Sequence, residues 1–112
     1  MQGGFGGKNL KLNLMKKTIF DNYSNTIAKE FHLTLGELFQ KTKTPQIVDA
    51  RKMLYYLCME RPIKIGYILS YLKEKGFDVG HSTVLNGYKQ AKKLIDTDPD
   101  YENLIKVIQE ND

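Results

Sequence analysis

Between Gly80 and Ile95 the chain carries an apolar pattern that a helix satisfies and a strand does not. Val84, Leu85, Gly87, Tyr88, Ala91, Leu94 and Ile95 recur at steps of three and four residues, which sets them as one stripe along a helix. The opposite side carries Asn86, Lys89, Gln90, Lys92 and Lys93. The first turn offers His81, Ser82 and Thr83: short donors and acceptors, and one methyl. A helix that leads with such groups and continues with lysines suits a DNA major groove, where side chains reach base edges while amides and lysines meet phosphates. A plainer role also fits, with Ser82 and Thr83 capping a surface helix.

The same period governs the chain upstream and downstream, so the expected fold class is all-α: a small helical domain of about six helices containing a helix-turn-helix. A first helix is expected from about Thr18 to Phe31, with Ile19, Phe20, Tyr23, Ile27 and Phe31 on one face. Thr34 and Glu37 have capping-box spacing and open a second, short helix. A polar basic loop, Gln40 to Thr44, leads to Thr44-Pro45, which reads as a cap followed by proline at the first helical position. The third helix, about Pro45 to Glu60, is the most apolar and the expected core; Tyr55 and Tyr56 widen its apolar surface. The fourth runs from about Ile65 to Lys75, and Gly76 stops it as a left-handed cap. Phe77 to Gly80 then turns into the helix that begins at His81. Asp98-Pro99 starts a last helix, whose inward face is Tyr101, Leu104, Ile105 and Ile108.

Charge is spread unevenly. Residues 1–17 carry a net +4, residues 18–40 carry −2, residues 41–93 carry +7 and residues 94–112 carry −5. A nucleic-acid reading therefore rests on the basic middle and not on the total. The alternative is a solvated middle docked against an acidic C-terminal helix. Four glycines in the first seven residues predict a flexible basic arm over residues 1–17, ahead of one domain over residues 18–112. Leu10, Leu12 and Leu14 alternate, which leaves a short strand or a partner-binding strip open there.

No apolar run approaches the roughly 20 residues that a membrane helix needs, and the N-terminal residues show no secretory pattern. The single Cys58 can form no internal disulfide, so a cytoplasmic location is expected. One cysteine and two separated histidines, with no paired cysteines, give no metal-site signature and imply no cofactor. His32 and His81 have no cysteine or paired carboxylate nearby that would make a catalytic constellation, so an enzyme is not expected.

Several stretches in order have a family likeness. They are Ile27 to Leu38, then Lys41-Thr42-Lys43, then Ile47 to Cys58 with Ala50-Arg51-Lys52 inside it, then His81-Ser82-Thr83-Val84, Lys89 to Lys92 and Asp100 to Ile105. Together, over about residues 23–108, they resemble the C-terminal DNA-binding domain (domain IV) of the bacterial replication initiator DnaA. The resemblance implies a helix-turn-helix that recognises double-stranded DNA through the major groove. It implies base contacts from His81, Ser82 and Thr83, a minor-groove contact from Lys43 with Lys41 nearby, and a phosphate contact from Arg51. It also implies phosphate binding by backbone amides near Ile65 and Gly66, a natural anion site at a helix start. Lys52, Lys89, Lys92 and Lys93 would add phosphate attraction and salt dependence.

The departures from the family bear on specificity. Val79-Gly80 stands where the family has a basic and then an acidic residue, so a base contact from that acid is missing. The turn from Lys73 to Gly80 is several residues longer. Lys41 and Lys43 stand where more arginine is expected, and lysine lacks the planar fork that suits groove reading. No glycine-rich phosphate loop or ATPase module accompanies the domain. The expectation is a stand-alone, sequence-selective DNA binder in replication control or transcription regulation, in a bacterial or phage-infected cell. The alternative is a protein-protein interaction module that kept the fold and lost DNA binding, using aromatics such as Tyr55, Tyr56 and Phe77.

Overall fold

The computed structural model describes residues 2–111, with side chains from Leu14 onward. Six helices follow in order: α1 (Gln2–Glu30), α2 (Leu35–Leu38), α3 (Pro45–Glu60), α4 (Ile65–Glu74), α5 (His81–Thr97) and α6 (Pro99–Glu110), with no strand among the described residues. The all-α expectation holds. No helix among the described residues is long and apolar enough to cross a membrane.

The first helix differs from expectation. It begins at Gln2 rather than about Thr18, so no break in the backbone marks the boundary at residue 17. Its described side chains are tied to α4 by charge. Lys17 pairs with Glu74 at 3.1 Å, Asp21 with Lys75 at 3.4 Å, and the Lys16 ammonium lies 4.0 Å from the Tyr67 ring centre. The lysines at 16 and 17, read from sequence as part of an arm, thus have partners on the domain.

Helix ends form largely where local chemistry asks for them. Thr34 and Glu37 make the reciprocal capping box, at 3.1 Å and 2.9 Å. Asp98 caps α6 by accepting from the Asp100 amide at 3.0 Å, with Pro99 at the first position. Thr44 does precede Pro45, but its side chain makes no cap bond; its hydroxyl pairs with that of Thr42 at 3.0 Å. α1 and α4 close in the same way. Leu33 donates its amide to Ala28 and Phe77 donates its amide to Leu72, over His32 (φ 57°) and Gly76 (φ 82°) respectively. This six-to-one bond needs a left-handed residue, which glycine supplies without strain. It also folds the next apolar residue back on the helix, which is why Phe77 is buried.

α3 is the hub and touches every other helix. Its Ala50, Met53, Leu54, Leu57 and Cys58 are buried beneath Phe20 and Ile27 of α1, Leu38 of α2, Ile68 and Leu72 of α4, Val84 and Ala91 of α5, and Ile105 and Ile108 of α6. Burial pushes the Cys58 thiol well above its ordinary range, so it behaves as a packing residue.

The most extensive helix pair is α3 with α5. Its closeness depends on Gly87. A Cβ built there would lie 2.6 Å from Cδ2 of Tyr55, a ring that is itself buried. Alanine at this position would gain about 1 kcal/mol of helix propensity. Against that, forcing a methyl into a packed ring costs about 1–3 kcal/mol. Gly87→Ala is therefore expected to destabilise the protein by up to about 2 kcal/mol, read as a lower urea midpoint at unchanged slope.

Candidate nucleic-acid interface

The basic loop and the turn before α5 meet at one side chain. Arg51 is buried, at 6% exposure, near the start of α3. Its guanidinium donates to three backbone carbonyls of the segment that carries the lysines: Leu38 at 3.1 Å, Gln40 at 2.9 Å and Thr42 at 3.0 Å. The same group lies 4.6 Å from the ring centre of Phe77, in the turn that feeds α5. Desolvating a guanidinium costs several kcal/mol. Three charge-assisted bonds of about 1.5–3 kcal/mol each are enough to offset it. Burial lowers the pKa of Arg51 from its ordinary value, and the adjacent Tyr55 acts in the opposite sense.

This placement changes the reading of Arg51. Its donors are aimed at the protein's own carbonyls, so its role is to hold loop 38–42 in shape rather than to meet a phosphate. Lys41 and Lys43 on that loop are exposed and make no ion pair among the described residues. Lys52 is also less free than expected. It is half-buried and pairs with Asp49 at 3.6 Å, and Asp49 also accepts from the Tyr101 hydroxyl at 3.1 Å.

α5 starts without a side-chain cap. Gly80 is the N-cap, no side chain accepts from the first amides, and the first turn holds no acid. His81, Ser82 and Thr83 occupy the first three helical positions and are exposed. Their side chains make no hydrogen bond among the described residues, so Ser82 and Thr83 are not the caps of this helix. α4 begins similarly, with Lys64 as an N-cap that gives no side-chain bond, no acid in the first turn, and Gly66 exposed. Ile65 beside it is half-buried. By contrast α2 and α6 both carry a side-chain cap and acids in the first turn. α3, α4 and α5 thus start with neither a side-chain cap nor a first-turn acid, whereas α2 and α6 have both.

The phase of α5 is set by its buried residues Val84, Gly87 and Ala91. At about 100° per residue, Ser82, Leu85, Asn86, Lys89, Lys93 and Asp96 lie within about 60° of the direction opposite to them, while His81 and Thr83 sit on the flanks. Lys89 and Lys93 are exposed along this ridge and make no ion pair among the described residues. Lys92 is exposed with its ammonium 5.1 Å from the Tyr88 ring centre. Leu85 corrects the expected stripe: it is 38% exposed instead of facing the core. The signal that finds it is helical phase, since Leu85 lies well off the mean direction of the three buried positions.

The aromatics proposed from sequence as a protein-docking surface are placed differently. Tyr55 and Phe77 are buried, at 3% and 5% exposure. Tyr56 is half-buried and stacks on Tyr88, whose hydroxyl donates to Glu60. A separate groove of about 580 Å³ between α1 and α6 is lined by Tyr23, Thr26, Glu30, Arg61 and Asn103 among others, and includes none of the residues expected to bind DNA.

No protein-family model matches the chain, and no solved structure matches it.

Two outcomes follow for the staple. Arg51→Lys keeps a charge and loses the fork, leaving carbonyls of the loop without donors; it is expected to cost about 1–3 kcal/mol in urea unfolding and to speed amide hydrogen exchange in residues 39–44. Tyr55 gives a pH signature. Burial raises its phenol to about 12, with Arg51 acting the other way, whereas an unfolded tyrosine ionises near pH 10. The unfolded chain loses this proton first, so the stability tied to the neutral phenol is present below about pH 10 and is lost as pH rises toward 12. Tyr55→Phe is expected to flatten that part of the fall in a series of urea midpoints against pH.

Proposed function

We propose that the chain is a sequence-selective binder of double-stranded DNA, acting in replication control or transcription regulation in the cytoplasm of a bacterial or phage-infected cell. In this reading α4, the turn and α5 serve as a helix-turn-helix. α5 enters the major groove, and His81, Ser82 and Thr83 meet base edges. Lys89, Lys92 and Lys93 attract phosphates along the helix, and Lys43, with Lys41 beside it, reaches toward the adjacent minor groove. The open amides at the start of α4, at Ile65 and Gly66, take a phosphate. The reading requires no cofactor.

The observation that carries the proposal is the first turn of α5. Three polar side chains stand exposed and unused over uncapped amides, and Arg51 with Phe77 brings the lysine-bearing loop to the turn that leads there. Polar groups with no internal partner, over amides without a side-chain cap and on a helix with exposed lysines, suit a polyanion with readable edges. The resemblance of residues 23–108 to DnaA domain IV supports the same reading from the sequence. The protein-interaction alternative loses Tyr55 and Phe77 as surface groups, because both are buried.

Selection from a random duplex library at about 50 and about 200 mM salt tests the proposal. The expected result is an enriched motif, with binding that weakens steeply at the higher salt. His81→Ala is expected to relax one position of the motif, costing about 1–3 kcal/mol on the preferred site. Lys43→Ala or Lys89→Ala is expected to weaken all sequences alike and to reduce the salt slope by about 1. Absence of binding at the lower salt would overturn the reading and favour a protein partner.

A further inference from the structure

Leu85 and Asn86 stand side by side on the outward ridge of α5, and neither has a structural task. Leu85 is one of the few large apolar side chains left exposed, and the exposed residues one turn away on either side are polar: Ser82 before it and Lys89 after it. Asn86 is exposed, and its amide makes no hydrogen bond among the described residues. Buried Val84, Gly87 and Ala91 fix the phase, so these two residues straddle the line pointing away from the protein, each about 50° from it. His81 and Thr83 sit closer to the sides. Whatever α5 enters, its leading edge runs from Ser82 in the first turn to Leu85, Asn86 and Lys89 beyond it.

The chemistry of this pair matches one base pair. In the major groove, thymine presents an apolar methyl, and adenine presents an acceptor at N7 beside a donor at N6. An aliphatic side chain covers the first, and a carboxamide with one acceptor and one donor satisfies the second. Neighbouring positions on the ridge would set the two contacts on the two bases of a single pair. Guanine and cytosine offer no methyl, and they present a donor-acceptor pattern that an asparagine pairs with poorly.

We propose that Leu85 and Asn86 together read one A·T base pair, Leu85 packing on the thymine methyl and Asn86 bonding adenine N6 and N7. The proposal rests on the DNA-binding reading and extends it from the first turn of α5 to the second. It makes Leu85 a specificity-determining residue, although the sequence pattern assigns it to the core.

The test alters the DNA as well as the protein, so a folding defect cannot imitate the result. Each thymine of the selected site is replaced in turn by deoxyuridine, which removes only the methyl, and the adenine paired with it by 7-deazaadenine, which removes only N7. The native protein is expected to lose about threefold to tenfold in affinity at one thymine, the value of a single buried methyl group. It is expected to lose about fivefold or more when the paired adenine lacks N7. Leu85→Ala is expected to bind the thymine and deoxyuridine sites equally, and Asn86→Ala to be indifferent to the adenine change. If Leu85→Ala keeps the native response to deoxyuridine at every position, or if the native protein ignores every methyl, the assignment of Leu85 is overturned while DNA binding stands. If Asn86→Ala still responds to the N7 change as the native protein does, the paired reading is overturned. If no duplex binds at low salt, the DNA reading fails, and this proposal fails with it.

Discussion

The arrangement around the start of α5 depends on one buried cation. Arg51 cannot be left in the interior without partners, because an uncompensated guanidinium costs several kcal/mol. Its partners are the carbonyls of Leu38, Gln40 and Thr42 and the face of Phe77. Satisfying that charge forces a loop with no regular structure into one shape, and holds the turn after α4 against it. Two segments far apart in sequence are thereby set in register: the loop that exposes Lys41 and Lys43, and the turn that delivers His81. A neutral residue of similar length could fill the space. The planar fork reaches all three carbonyls from two terminal nitrogens, one donating to Leu38 and Gln40 and the other to Thr42.

Around this staple, the packing of α5 on α3 decides what the surface offers. Gly87 lets the helix settle against the Tyr55 ring, and Val84 and Ala91 complete the contact. All three are small to medium residues, so the helix lies close and its remaining faces turn outward. The polar first turn, Leu85, Asn86 and the lysines are exposed as a consequence. The uncapped starts of α4 and α5 complement that surface. A helix that closes its own first amides, as α2 and α6 do, has less positive end left to offer an anion.

Much of the local structure was legible in the residues. The capping box at Thr34 and Glu37, the Asp98-Pro99 start of α6 and the glycine stop at Gly76 each follow from side chains within a few positions of one another. Such features form for reasons contained in a short stretch, and so they survive in whatever fold surrounds them. The candidate DNA-binding residues were legible as types and spacings: His81, Ser82 and Thr83 at a helix start, and lysines in a loop and along a face. Less legible were the start of α1, expected near Thr18 and found at Gln2, and the cap role of Thr44, whose hydroxyl went to Thr42.

By itself the sequence determined the all-helical class, the order of the helices and the polar character of the first turn of α5, because helical period and cap chemistry act over three or four residues. The tertiary structure alone decided which of those residues face outward. Arg51 reads as a basic surface residue until three carbonyls from a separate loop converge on it. Phe77 and Tyr55 read as exposed aromatics until the turn and α5 close over them. Leu85 reads as core until the positions of Val84, Gly87 and Ala91 rotate it into solvent. Burial is a property of where neighbouring helices come to lie, and that depends on contacts between residues distant in the chain, which no local pattern records.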